Sequence, residues 1–130
     1  MTLLEYQRVT HFPTKVGNIR FRVEADGGVY VQRNRRAPPS GQEWAEEFPA
    51  APTVQVRDVE KKIKKLLERH KFFAMEPLYQ NPAGSDGVVE TLTWRGPGGE
   101  KTVVADRARP PAFQKLVNDL MWGLDIADRP

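Results

Sequence analysis

The chain has 130 residues, the length of one ordinary domain, and its 39% apolar and 28% charged residues favour a folded core over disorder. It contains no cysteine, which excludes disulfides, thiolate metal sites and cysteine nucleophiles. No apolar run is long enough to span a bilayer. Glu5 and Arg8 interrupt the opening segment, which argues against a signal peptide. We therefore expect a cytoplasmic protein that does not bind membranes.

The opening segment, residues 1–17, is predicted to be an N-terminal extension or an edge strand. Its alternation of apolar and polar residues is weak, and Pro13 ends it because proline cannot donate a hydrogen bond to a neighbouring strand. Residues 18–130 are predicted to form a single α+β domain.

A hairpin is predicted at the start of this domain. Apolar and charged residues alternate over residues 18–24, which is typical of a half-buried strand, and Asp26-Gly27-Gly28 then predicts a tight turn. A three-residue loop that pairs Val23 with Val31 places the apolar residues of both strands on the same face. We therefore expect Gly28 to adopt a positive φ.

Residues 34–52 form a long excursion that is rich in proline and in acidic residues. Long loops in compact domains are usually functional or disordered, so this segment is expected to carry function and to contribute little to stability. Trp44 and Phe48 are four residues apart, and an exposed tryptophan is a typical interface anchor. The alternative is that both rings fold back on the protein's own core. The predicted partner-binding residues are Trp44, Phe48, Glu43 and Glu47.

The clearest helical pattern lies within residues 53–70, where apolar residues repeat at the helical period. Between residues 57 and 71, seven basic residues stand against three acidic ones. A basic helix face can contact phosphates, although an ordinary solvated helix surface has a similar composition. The candidate basic surface consists of Arg57, Lys61, Lys64 and Lys65, with a second cluster of Arg33, Arg35 and Arg36 at a strand end.

The second half of the chain repeats the order of hairpin and helix. Residues 88–95 and 100–106 flank a glycine-rich turn, and a proline pair opens a last helix with a strong apolar stripe. The order β-β-α-β-β-α predicts an antiparallel sheet of four to five strands with two helices packed on one face. Leu66 and Leu120 are among the predicted core residues.

Histidine and serine, which often form catalytic or metal sites, are scarce in this chain. His11 and His70 have no carboxylate or second histidine at ligand spacing, and Ser40 and Ser85 lie in predicted loops. The glycine clusters join strand to strand, so they lack the helix N-terminus that a phosphate-binding loop uses. We predict no catalytic residue, no metal and no cofactor. An enzyme of another type would need a concave pocket with perturbed titratable groups.

Five short motifs follow one another along the chain in an order that is also found in a known family. They are a strand that enters a glycine pair (residues 23–28), a helix that ends in an aromatic pair (66–74), an acidic residue before a strand (Asp86), a glycine turn into residues 102–106, and a proline that opens the last helix (Pro111). Over roughly residues 19–124 this order resembles the emfourin family, small inhibitors of thermolysin-like metalloproteases. The excursion at 34–52 and the segment before residue 18 depart from that pattern.

Two functions follow from these observations. The first is a non-catalytic protein-binding module, either an inhibitor or an immunity-type protein. The resemblance implies that its partner is a metalloprotease. The second is a nucleic-acid-binding domain that uses the basic helix 57–71.

Overall fold

The computed structural model describes residues 1–10, 18–34, 44, 47–81, 83 and 87–127. In this part of the chain a short 3-10 turn, Phe72–Ala74, follows the first helix, and no helix is long and apolar enough to cross a bilayer. The strands and helices are β1 (Thr2–Thr10), β2 (Asn18–Glu24), β3 (Gly28–Asn34), β4 (Val54–Gln55), α1 (Val59–Arg69), β5 (Leu78–Gln80), β6 (Val88–Trp94), β7 (Lys101–Asp106) and α2 (Pro111–Gly123).

The strands form one sheet in the order β4-β3-β2-β1-β6-β7-β5. All neighbouring strands are antiparallel except β5, which is parallel to β7. The predicted α+β class with two helices is confirmed, but the sheet has seven strands and is mixed, rather than four to five antiparallel strands. The prediction missed β4 and β5 because strands of two and three residues are too short to show an alternating pattern.

The prediction that the opening segment is an extension or an edge strand is wrong for residues 2–10. β1 lies in the middle of the sheet, where Tyr6 pairs with Phe21 of β2 and with Leu92 of β6. A central antiparallel strand with one polar face has the same alternation as an edge strand, so its local pattern does not reveal how many neighbours it has. Residues 11–17, with Pro13 and His11, lie outside the described residues.

The first hairpin has the predicted loop length but a different register. Val23 pairs with Val29 rather than Val31, so the loop is Ala25-Asp26-Gly27. Asp26 Oδ1 accepts a hydrogen bond of 2.9 Å from the backbone N–H of Gly28, and Gly27, not Gly28, has the positive φ of 93°. Because the pairing differs by two residues, the apolar side chains of both strands still share one face.

Both helices pack on the same side of the sheet, and they contact each other in an antiparallel arrangement. His70 Nε2 lies 2.7 Å from Asp119 Oδ2, and a β-carbon on Gly123 would lie 3.3 Å from Leu66 Cδ1. The helix predicted within residues 53–70 begins only at Val59, because the preceding residues form β4 and Asp58 has a left-handed φ of 51°. The largest buried side chains are Trp94, Phe21, Phe72, Phe113, Leu3 and Leu4.

Candidate functional site

The face of the sheet opposite the helices, here called the outer face, carries polar side chains in two rows across the strands. Strand pairing places Arg22, Glu5 and Thr93 next to one another, and places Arg20, Gln7 and Thr91 in the adjacent row. Each row continues onto the neighbouring strands. The first row is Tyr30, Arg22, Glu5, Thr93 and Thr102, and the second is Gln32, Arg20, Gln7 and Thr91.

The aromatic pair of the excursion lies on this outer face. The Arg20 guanidinium carbon is 4.7 Å from the ring centre of Trp44 and 4.3 Å from that of Phe48. Arg22 also contacts Phe48, at 4.9 Å. These distances are within the range of cation–π attraction. Both rings thus lie against the protein itself, but over arginines of the polar face rather than on the hydrophobic core.

Arg20 is held by polar as well as aromatic neighbours. Its Nε donates a 2.8 Å hydrogen bond to Gln32 Oε1. Partial burial lowers the pKa of Arg20, the nearby Glu47 carboxylate raises it, and the positive charge of Arg22 lowers it further. An arginine remains protonated under all ordinary conditions, so Arg20 is a permanent cation that fixes the position of the aromatic pair.

A groove of about 350 Å³ runs along the outer face beside Phe48. Its volume lies within the range of about 300–1,000 Å³ that is usual for ligand-binding clefts. Glu5 and Arg95 form an ion pair of 3.3 Å across it, and Thr93 shares a hydrogen bond of 2.9 Å with Thr102. The residues that line it are Glu5, Tyr6, Gln7, Arg20, Phe21, Phe48, Thr91, Thr93 and Arg95.

The groove offers charge of both signs, hydroxyl and amide groups, and one aromatic wall. This combination suits recognition of a polar peptide surface, with Phe48 as an apolar anchor point and Arg95 and Glu5 able to exchange partners. Its described lining includes no serine, histidine or cysteine that could act as a nucleophile or base. The side chains of the groove can form hydrogen bonds, ion pairs and an aromatic contact with a bound group, and we assign no reaction step to them.

The acidic residues predicted beside the aromatic pair have separate outcomes. Glu47 is exposed, yet it is near enough to Arg20 to raise the pKa of that guanidinium. Glu43 lies outside the described residues.

The predicted basic surface, which comprises three lysines of α1 and Arg57 just before the helix, is exposed to solvent. Arg57, Lys61, Lys64 and Lys65 are all exposed, and none of the ion pairs within the described residues involves them. The arrangement leaves these cations available to an anionic partner.

Within the described residues, the second basic cluster is represented by Arg33 alone, which does not lie on the basic surface of α1. Arg33 lies on the helix-covered face of β3, where its Nη2 donates a 2.7 Å hydrogen bond to the carbonyl oxygen of Ile126. Arg35 and Arg36 lie outside the described residues. Arg33 is therefore a structural tie between the sheet and the segment after α2.

Sequence reasoning missed a buried carboxylate. Glu90 is 4% exposed, and its two oxygens accept hydrogen bonds from Tyr6 Oη at 2.8 Å and from Gln114 Nε2 at 2.7 Å. Burial raises the pKa of Tyr6 well above its ordinary value, and the Glu90 carboxylate raises it further. The alternation of β6 could have revealed this site, because Glu90 is in phase with Leu92 and Trp94, which point into the core.

His70 lies at the C-terminal end of α1 and contacts Asp119 of α2, so it links the two helices. Within the described residues no three histidine, aspartate or glutamate side chains are grouped closely enough to hold a metal ion. No protein-family model matches this chain, and no curated protein matches it at a significant level.

Proposed function

We propose that the chain is a non-catalytic protein-binding module whose contact surface is the outer face of the sheet together with Trp44 and Phe48. The observation that carries this proposal is the position of both rings over Arg20, beside a groove of about 350 Å³. Rings that are already held in place lose little conformational freedom when a partner binds, which favours affinity.

The alternative without a binding function is that the outer face is only the solvated side of an antiparallel sheet. That alternative accounts for the threonines and glutamines, but it gives no reason for two aromatic rings, Trp44 and Phe48, to lie over arginines there. Aromatic residues beside arginine are the composition typical of interface anchors.

The resemblance to the emfourin family supplies the partner class to test first, a thermolysin-like metalloprotease. Hydrolysis of a fluorogenic peptide by such an enzyme should be inhibited at micromolar concentrations of this chain. The variant Trp44→Ala with Phe48→Ala should raise the inhibition constant at least about tenfold, which corresponds to 1.4 kcal/mol. Arg57→Ala with Lys61→Ala, on the other side of the sheet, is the matched control and should inhibit as well as the unaltered chain.

Absence of inhibition at micromolar protein removes the protease-inhibitor form of the proposal. Protein binding in general is tested by a photo-crosslinking residue placed at position 48 and, separately, at position 61, in a cell lysate. A discrete crosslinked protein from position 48 alone supports the outer face as the contact surface. Crosslinks from position 61 alone, or from neither position, contradict it.

A second candidate function, nucleic-acid binding by α1, is favoured by one specific observation. Its lysines are exposed and take part in no ion pair within the described residues. Phosphate contacts of this kind weaken steeply as salt rises, because bound counterions are released from the nucleic acid. Gel retardation at low salt that disappears in Lys61→Ala with Lys64→Ala would favour this function over the first.

A further inference from the structure

An apolar cavity of about 260 Å³ lies between α1 and the C-terminal end of α2, on the helix-covered side of the molecule. Its apolar residues are Ile63, Leu66, Gly123 and Leu124. The cavity owes its shape to Gly123, since even a β-carbon there would lie 3.3 Å from Leu66 Cδ1. Leu66, which the sequence predicts to be in the core, is therefore only partly buried.

The rim of this cavity is positively charged. Lys62 and Lys65 line it, and both are exposed. Over its eleven residues α1 carries five basic side chains against two acidic ones. None of the lysines of α1 takes part in an ion pair within the described residues, and Asp119, the acidic residue of α2, faces His70. The surface thus combines an apolar floor with lysines that form no ion pair with the described part of the chain.

We propose that this cavity binds one apolar side chain of an acidic peptide segment in a partner protein. A cavity of about 260 Å³ is below the usual size of drug-like clefts but ample for a single leucine or isoleucine side chain. Carboxylates on either side of that anchor would pair with Lys62 and Lys65. This follows the general design of interfaces in which a buried apolar anchor is surrounded by a polar rim.

Other anionic partners fit this surface less well. A nucleic-acid backbone offers phosphates to the lysines but no group for the apolar floor. A lipid surface is bound by helices with a broad apolar face, whereas the exposed side of α1 is charged along its length. The cavity shares no lining residue with the groove beside Phe48, so this inference does not depend on the function proposed for the outer face.

The test uses two fluorescein-labelled acidic dodecapeptides of aspartate and glutamate, one with a single central leucine and one with alanine at that position. Fluorescence anisotropy with the full chain should give at least about tenfold tighter binding of the leucine peptide. Lys62→Glu with Lys65→Glu should weaken that binding at least about tenfold. Lys61→Glu with Lys64→Glu changes the charge equally at positions that do not line the cavity, and should weaken binding less.

Gly123→Leu should fill the cavity and remove the preference for leucine over alanine. Circular dichroism shows whether this variant folds, and the two lysine pairs decide the matter if it does not. Equal affinity for both peptides, equal losses in the two lysine pairs, or no binding at millimolar peptide overturns the proposal. Tighter binding of a 20-base-pair DNA duplex than of the leucine peptide also overturns it. Self-association of the chain that is abolished by Lys62→Glu with Lys65→Glu would overturn it as well, because the surface would then contact a second copy.

Discussion

The helix-covered face of the sheet buries Phe21, Leu92 and Trp94, each exposed by 1% or less. The outer face instead holds Arg20 and Arg95 in contacts with aromatic rings and carboxylates. Apolar burial contributes about 25 cal/mol per Å², whereas an exposed ion pair contributes about 0–1 kcal/mol. Stability therefore resides mainly on the helix-covered face, and the fold constrains the side chains of the outer face much less.

The largest effect should come from the core. Leu120 is 0% exposed, so Leu120→Ala should lower the free energy of unfolding by about 2–5 kcal/mol in denaturant melts. Thr91→Ala on the outer face is the matched control and should change it by about 0.5 kcal/mol or less. Leu66→Ala should cost less than Leu120→Ala because Leu66 is only partly buried. Equal effects of Leu120→Ala and Thr91→Ala would erase the distinction between the faces.

The next largest effect on the free energy of unfolding is expected at the buried Glu90 carboxylate. Tyr6→Phe removes the hydroxyl that donates to Glu90 and leaves that carboxylate with Gln114, so stability should fall by about 1.5–3 kcal/mol. Urea titration at neutral pH measures this loss. Tyr79→Phe, at a half-buried position of β5, is the control and should cost less. A neutral Tyr6→Phe result would mean that water replaces the hydroxyl.

The same pair predicts how stability depends on pH. The pKa of Tyr6 is raised in the folded protein, so the native state holds this proton more tightly than the unfolded chain does. The stabilisation is fully present below the ordinary tyrosine pKa of about 10 and is lost as pH rises through the higher folded pKa. Thermal melts between neutral pH and pH 11 should show a decline that is shallower in Tyr6→Phe; parallel curves would contradict the assignment.

A smaller loss of stability is expected from substitutions in the turn Ala25-Asp26-Gly27. Gly27 has a φ of 93°, and a β-carbon there would overlap the carbonyl oxygen of Val56. Gly27→Ala should cost at least about 1–2 kcal/mol from the backbone conformation. Gly28→Ala is the matched control, with a smaller cost expected because its φ is not positive. A larger loss of stability in Gly28→Ala than in Gly27→Ala would instead support the register in which Val23 pairs with Val31.

The smallest effect on stability should come from the aromatic pair. Trp44→Ala with Phe48→Ala removes cation–π contacts between half-buried groups that solvent still reaches, worth about 0.5–1 kcal/mol each, so the melting temperature should fall by only a few degrees. Partner binding should nevertheless weaken at least about tenfold. A large loss of stability with unchanged binding would assign the rings to the fold rather than to the interface.

Sequence patterns predicted the helices well because each buries a continuous stripe. Phe113, Leu116, Val117 and Leu120 of α2 are buried as their spacing predicts. Patterns fail where pairing depends on distant residues. The position of β1 in the sheet follows from its contacts with β2 and β6, and the local alternation around Tyr6 cannot encode those contacts.

The candidate site was predictable only in part. Trp44 and Phe48 stand out as aromatic residues in an acidic segment, but their contact with Arg20 joins residues more than twenty positions apart, which a local pattern cannot encode. Likewise, the cavity at Gly123 arises because two helices meet at a residue without a side chain, and each helix alone shows nothing unusual.

The central place of β1 also governs how the chain can reach its fold. β1 can pair with β2 soon after both leave the ribosome, but its other neighbour, β6, is translated much later, since Leu4 pairs with Trp94. Until then one backbone edge of β1 remains open to incorrect pairing, and closing so long a loop slows folding. Nascent chains stalled before residue 88 should therefore be protease-sensitive and prone to aggregation, whereas release of β6 and β7 should complete the sheet in one cooperative step.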